Sequence, residues 1–386
     1  MAIVSFSLLA LIVLVGLLGP LLALRSGWRI PVIVGELVGG LLIGASGFGL
    51  VDASNNEFRL LADIGFGLTM VVVGSQIPVR DVAARAALRR GIAGAAVVGT
   101  AAAIGGIALA ALFGTGHAAV YAVVIASSSA AIVLPMLQSV GVRRATVGQL
   151  MAQIAVADIA CIVILPIVAA PGRAGLAALG AAVIAVAALL LFFALRRFDR
   201  SGARSRLHQY SEKRRFALEL RFSLLTLFSF GAIAQFTDIS IMLAGFALGL
   251  LLSATGEPHR LARQLFGMTE GFFGPLFFVW LGASLDLRSF ATHPAMILLG
   301  LALGVAAVVV HTPARITGLP WVQTLASAGQ LGVPVAAVTL GIQAGTLAPG
   351  EDAAIVLGAL ISVAVAAVAI GTIGRRAAAG KQADPM

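Results

Sequence analysis

Residues 147–170 read VGQLMAQIAVADIACIVILPIVAA, and Asp158 is the single charged residue in the run. A run this long and this apolar predicts a membrane helix, since roughly 20 such residues cross the hydrocarbon layer. The acid near its centre is then the anomaly. An ionised Asp at the bilayer midplane costs roughly 2.5–3.5 kcal/mol on insertion scales, and Ala or Leu would fill the position at lower cost. Two readings stand. Asp158 is neutralised and simply ties helices together, or it lies on an ion or proton path, as intramembrane acids commonly do. Helical spacing puts Ile154, Ala155, Cys161 and Ile162 on its face, and none of them is a counter-charge. Such an acid is suited to trade a proton for a cation near neutral pH, and this second reading is preferred.

The rest of the chain agrees with a membrane setting. Of its 386 residues 60% are hydrophobic and 11% charged, far below the quarter or so of charged residues in a soluble domain. The 45 glycines suit close helix packing in a bilayer. One cysteine, Cys161, excludes an intramolecular disulfide. The N-terminal FSLLALIVLVGLLGPLLAL has no basic segment before it and no small-residue cleavage site after it, so it reads as a retained helix.

Apolar runs divide the chain into thirteen expected spans, near 3–24, 31–50, 60–78, 91–113, 118–139, 147–170, 174–195, 217–236, 238–254, 268–286, 294–314, 320–343 and 353–374. The thinnest division is FTDIS at 236–240. The distribution of basic residues tests this count. Of the 26 Lys and Arg, 22 fall in the odd-numbered connections and the C-terminal tail, eight of them in RRFDRSGARSRLHQYSEKRR at 196–215. Only Arg59, Arg173 and Arg288 fall on the other side, and Arg221 opens the eighth helix. The positive-inside rule then places the N-terminus outside and the C-terminus in the cytoplasm. The basic charge is therefore an orientation signal and gives no reason to expect a nucleic-acid partner.

Six helices, a connector and six more permit two inverted repeats, a common plan in secondary transporters. The fifth and twelfth spans then correspond. The fifth carries Ser127, Ser128 and Ser129 at its centre with Pro135 beyond, and the twelfth carries Ser327, Gly329, Gln330, Gly332 and Pro334. Small residues of this kind either let helices pack closely or mark interrupted helices whose freed backbone faces a cavity. Matched positions in opposite halves favour interruption. His311, in ILLGLALGVAAVVVHTPAR, is either a neutral packed histidine or a movable counter-charge for Asp158. Glu36 reads as a conformational or packing acid, Asp63 and Glu270 as helix-end acids, and Glu219 as paired with nearby basic residues.

Four segments resemble the monovalent cation/proton antiporters, of the Kef-type and sodium/proton branch. They are PVIVGELVGGLLIGASGFGLV, LADIGFGLTMVVVGSQIPV, ASSSAAIVLPMLQSVG and GPLFFVWLGASLDL. The resemblance implies an all-α polytopic membrane protein with thirteen transmembrane helices in two inverted six-helix repeats, its broken helices crossed at the ion site. Core ion-binding helices would occupy about 91–170 and 294–374. Scaffold and dimer helices would occupy about 1–80 and 217–290, with a linker helix at 174–195 and a basic cytoplasmic loop at 196–216. The family's sixth helix carries an acid pair or amide–acid pair; Asp158 matches the second position and Ala157 the first. His311 stands where many members have Lys or Arg. About a dozen residues follow the last helix, so no cytosolic nucleotide-binding domain is expected.

The expected function is antiport of Na⁺ or K⁺ against protons, one for one, in a homodimer in the plasma membrane. The transported metal ion and the proton would share Asp158, with Ser127, Ser128, Ser129 and Gln330 supplying oxygens. No cofactor is expected beyond the transported ions. Two alternatives remain: a non-transporting sensor or channel subunit on the same scaffold, and an organic-anion symporter, which lacks a basic residue to meet its cargo. No P-loop, HExxH or dinucleotide fingerprint points to an enzyme.

Overall fold

A computed structural model describes residues 5–24, 32–75, 82–142, 147–169, 172, 174–200, 216–237, 239, 241–256, 259–285, 288 and 294–382. Among these the regular structure is helical. In chain order the helices are α1 (Phe6–Gly16), α2 (Leu18–Ala23), α3 (Val32–Ile43), α4 (Asn56–Ser75), α5 (Val82–Phe113), α6 (Ala118–Ala126), α7 (Ala130–Ser139), α8 (Gly148–Ala169) and α9 (Ala174–Arg200). They continue with α10 (Leu218–Phe236), α11 (Ile241–Thr255), α12 (His259–Met268), α13 (Gly274–Ala283), α14 (Ala295–His311), α15 (Trp321–Ser327), α16 (Gly332–Ala344) and α17 (Glu351–Gln382).

Among the described residues seven stretches are long and apolar enough to cross a membrane: Phe6–Ala23, Ala86–Phe113, Gly148–Ala169, Ala174–Phe198, Leu261–Ala283, Ala295–Thr317 and Glu351–Arg376. Val32–Ile43 and Ile241–Thr255 are shorter apolar helices. Large apolar side chains point outward along these elements, among them Leu112, Leu179, Leu190, Phe193 and Leu298. A water-facing surface does not carry such stripes, whereas a lipid-facing one does.

Local chemistry explains the departures from plain helix. A wide π turn, Thr269–Phe273, joins α12 to α13 ahead of Pro275, which has no N–H to give the preceding turn. α14 tightens into a 3₁₀ segment, Thr312–Thr317, which begins with Pro313 in its first turn and ends at Gly318 with φ +97°. α9 runs on to Arg200, so the first residues of the expected basic loop are helical; Arg197 and Arg200 in its last turn suit the negative end of the helix dipole. Residues 201–215, Asp238, and the arginines at 25, 29, 80, 143, 144 and 173 lie outside the described residues.

Glycines set the closest helix contacts. α3 lies on α13, where a Cβ on Gly282 would overlap the Leu37 carbonyl oxygen and one on Gly40 the Val279 carbonyl oxygen. α4 lies on α11 through Gly245 and Gly249, whose Cβ atoms would meet the carbonyls of Gly67 and Val71. In lipid, where burial of apolar surface does not drive helices together, such backbone approach is what dispersion and weak Cα–H contacts need. A larger apolar core draws on α1, α3–α8, α11 and α13–α17, while Leu68, Val71, Leu227, Leu248, Leu251, Leu252, Leu261 and Leu265 form a second cluster.

Gly282→Val should destabilise the protein by about 1–3 kcal/mol through overpacking. Gly175→Ala, at a position with nothing within 4 Å, should be neutral or slightly stabilising. Thermal unfolding in detergent compares them, and equal melting temperatures would refute the close-packing account.

Candidate functional site

Buried polar side chains are few, and many of them meet at one place. Thr69 and Thr255 are satisfied by carbonyls of their own helices. Ser127, Ser128, Ser129, Gln153, Asp158, His311, Ser327, Gln330 and Ser362 are all at most 4% exposed and gather where two helices stop.

The first stop follows α6. Its C-cap, Ser127, turns extended (φ −69°, ψ 149°), and three residues pass before α7 begins. The second follows α15, and residues 328–331 separate it from α16. The three serines at 127–129, and Gly with the amide side chain at 329–330, disfavour continuous helix at both points. The two interruptions bond to each other. Ser129 donates its backbone N–H to the Gly329 carbonyl at 2.8 Å. Ser128 Oγ donates to the Ser327 carbonyl at 2.7 Å. Ser127 Oγ donates to Gln330 Oε1.

Asp158 enters from α8, 3% exposed. Its Oδ2 accepts the backbone N–H of Ala130, the first residue of α7, at 3.1 Å. The carboxylate thus caps a helix to which it does not belong, where unpaired N–H groups and the helix dipole favour an anion. The partner is a backbone amide, and the ion pairs found among the described residues do not include Asp158.

His311 reaches the same place by another route. Nδ1 donates to the Ala307 carbonyl at 2.7 Å, and Nε2 stands 3.2 Å from Ser128 Oγ. With Nδ1 carrying a proton, a neutral ring leaves Nε2 as an acceptor. The single Ser128 hydroxyl proton must then choose between Nε2 and the Ser327 carbonyl. Only a doubly protonated ring satisfies both contacts at once. His311 is therefore joined to the crossing through Ser128, not to Asp158 directly.

Two further residues complete the cluster. Ser362 Oγ accepts the Gln330 N–H at 3.3 Å while donating to Ala359 at 2.7 Å. Gln153 Nε2 lies 3.4 Å from Ser327 Oγ, and its Oε1, packed against Gly94, has no partner. The signal that could have found Gln153 is its place in 147–170, where Gln149, Gln153 and Asp158 are the only polar side chains longer than a hydroxyl. Ser362 carries no such mark in its sequence surroundings. Taken together, the site presents one carboxylate, several hydroxyl and carbonyl oxygens and one imidazole, which is a donor set for a hard monovalent cation or a proton.

Comparison with known proteins agrees in kind. YjbQ of Bacillus subtilis (strain 168), named for Na⁺/H⁺ antiport, is 26% identical over 302 residues, 74% of this chain and 48% of that one. The glutathione-regulated potassium-efflux system protein KefC of Enterobacter sp. (strain 638) is 27% identical over 281 residues, 69% of this chain and 43% of that one. The chain thus spans about half the length of these curated relatives or less. The structure of the sodium proton antiporter MjNhaP1 from Methanocaldococcus jannaschii at pH 8 superposes with a TM-score of 0.64 at 18% identity, covering 95% of this chain and 97% of that one, and so shares the fold. The model of the family described as "Sodium/hydrogen exchanger, transmembrane" matches residues 9–376, and the chain belongs to that family.

Proposed function

We propose that the protein exchanges a monovalent cation, Na⁺ or K⁺, for a proton, with both competing for Asp158. The observation that carries this reading is the buried carboxylate of Asp158 set on the Ala130 N–H at the point where α6 and α7 part. Oxygens of Ser127, Ser128, Ser129 and Gln330 surround the same point, and a hard cation binds through oxygen. The relatives' names speak of Na⁺/H⁺ antiport in one case and potassium efflux in the other.

Alternating access fits the division of the helices. The polar crossing belongs to α5–α8 and α14–α17, a core of about 91–170 and 294–374. The glycine-packed α1–α4 and α10–α13 form a scaffold, on this reading a dimerising one, against which the core moves. Thirteen crossings in two inverted repeats, N-terminus outside and C-terminus cytoplasmic, are part of the same proposal. Matched bonds support it. In the first half the Ala130 N–H, at the start of α7, is held by Asp158, 28 residues on; in the second the Gln330 N–H, inside the interruption, is held by Ser362, 32 residues on.

The transport cycle then needs only this chain's groups. Facing one side, Asp158 releases its proton to water and takes the cation, with serine and glutamine oxygens replacing part of its hydration. Facing the other, the cation leaves and a proton returns. The Ala130 N–H stays as an acceptor's partner in both loaded states.

Cation-driven proton movement in proteoliposomes tests the carboxylate. Asp158→Asn should abolish it with both Na⁺ and K⁺, while unfolding of the variant stays cooperative; exchange persisting at the wild-type rate would remove Asp158 from the site. Ser127→Ala and Gln330→Leu should raise the cation KM and leave the proton dependence in place, as expected for groups that touch the cation alone; unchanged KM values would remove both from the coordination shell. One-for-one exchange should be insensitive to an imposed membrane potential, and a steep dependence on voltage would overturn that stoichiometry.

A further inference from the structure

Glu351 opens α17 and is fully buried, an unusual setting for a first-turn acid. Its Oε2 accepts the N–H of Ala348 at 2.8 Å, which closes its own helix start. Its Oε1 accepts the Tyr121 hydroxyl at 2.5 Å and lies 2.7 Å from Nδ1 of His117. His117 caps the start of α6 and Tyr121 lies one turn into it. One carboxylate therefore holds two successive turns of the half-helix that ends at Ser127.

A second tie stands in the corresponding place at the other interruption. Thr317 precedes Ser327 by ten residues, as His117 precedes Ser127. Gln149, in the first turn of α8, donates Nε2 to the Thr317 carbonyl at 3.1 Å and to its Oγ1 at 2.9 Å. Each tie runs from the first turn of the long helix that follows one broken helix pair, α8 or α17, to the residues that open or precede the half-helix leading into the other interruption. The two differ in chemistry. The Gln149–Thr317 tie is built of an amide and a hydroxyl; the Glu351–His117–Tyr121 tie is built of ionisable groups.

We propose that Glu351 is a positioning residue for exchange. Through His117 and Tyr121 it sets the height of α6, and so of the Ser127–Ser129 oxygens, and it makes that setting answer to the pH of the compartment on its own side. This rests on the antiport reading above. The charged and titratable groups around it are few. Among the described residues of the packed elements, Asp352 is adjacent, Asp158 lies midway along α8, His311 ends α14, and Arg89 and Arg90 lie at the far end of α5. None of α6, α15, α16 or the 345–350 turn carries another charge.

The test uses the full chain in proteoliposomes of one orientation, with pH varied separately on each side. Asp158→Asn is run first, and exchange that survives it refutes the antiport reading whatever the other variants do. Given that loss, Glu351→Gln and His117→Gln should raise the cation KM several-fold with little change in maximal rate. Both should also flatten the rate's dependence on pH at the His117 side only. Tyr121→Phe, which removes one bond and no charge site, should raise KM without flattening the pH response. Gln149→Leu, cutting the neutral tie, should leave both pH responses as in the wild type. A Glu351→Gln protein with the wild-type KM and pH profile overturns the proposal. So does one whose only change is a lower maximal rate or a lower melting temperature, because a purely structural acid would do the same.

Discussion

The hydrogen bond from the Ser129 amide to the Gly329 carbonyl is the contact on which the centre of the molecule depends. In lipid a backbone group has no water to fall back on, so a helix can stop inside the membrane only where something else takes its freed donors and acceptors. An orphaned group costs about 1–3 kcal/mol, and two interruptions free several. Here each supplies partners for the other: Ser129 for Gly329, Ser128 for Ser327, Ser127 for Gln330. Neither interruption is tenable without its counterpart, and this explains why the polar side chains of the core gather in one place.

The same accounting bears on Asp158. The carboxylate has a structural task, since removing it leaves the Ala130 N–H unpaired. That task alone does not call for an acid. Inside the second interruption the Gln330 N–H is held by the hydroxyl of Ser362, a neutral group with no insertion penalty to speak of. Serine or asparagine at 158 would cap α7 as well and at lower cost. What an acid adds is the ability to change charge and to bind a cation, so the comparison between Asp158 and Ser362 favours exchange over tethering.

Much of this was legible in the sequence, and the rest was hidden for identifiable reasons. Three serines in a row, and SAGQLGVP two hundred residues later, mark the interruptions because short polar residues and Gly compete with helix wherever they cluster. The single acid in 147–170 stood out by cost. Its partner did not, because a backbone N–H has no letter in the sequence; a search for a counter-charge looks in the wrong class of group. His311 was visible, but its attachment to Ser128 follows from the meeting of α6, α14 and α15, which no local pattern encodes. Glu351 was overlooked because an acid in a first turn is ordinarily a solvated cap. Only the packing of α6 over it, with Tyr121 and His117 aimed back, reveals otherwise. Ten of the 22 basic residues that orient the chain lie outside the described residues, so the orientation rests on their sequence positions.

Charge balance at the crossing links the site to its stoichiometry. Among the buried polar groups there, Asp158 is the only carboxylate and His311 the only base. With a proton on Asp158 the pair of carboxyl and bound ligand is neutral; with Na⁺ or K⁺ on the carboxylate it is neutral again. On the exchange proposed above, a core carrying either load across the low-dielectric layer would move no net charge at residue 158, and the large cost of dragging a bare ion pair member through that layer would be avoided on both legs. A lysine in place of His311 would carry a fixed positive charge beside the load and would demand a second acid to balance it. Histidine does not, because it can remain neutral, with its one ring proton held on Nδ1 by the Ala307 carbonyl. The pairing of one acid with a histidine is thus self-consistent in a way that one acid with a lysine is not, and an uncharged Ala157 beside Asp158 fits the same balance.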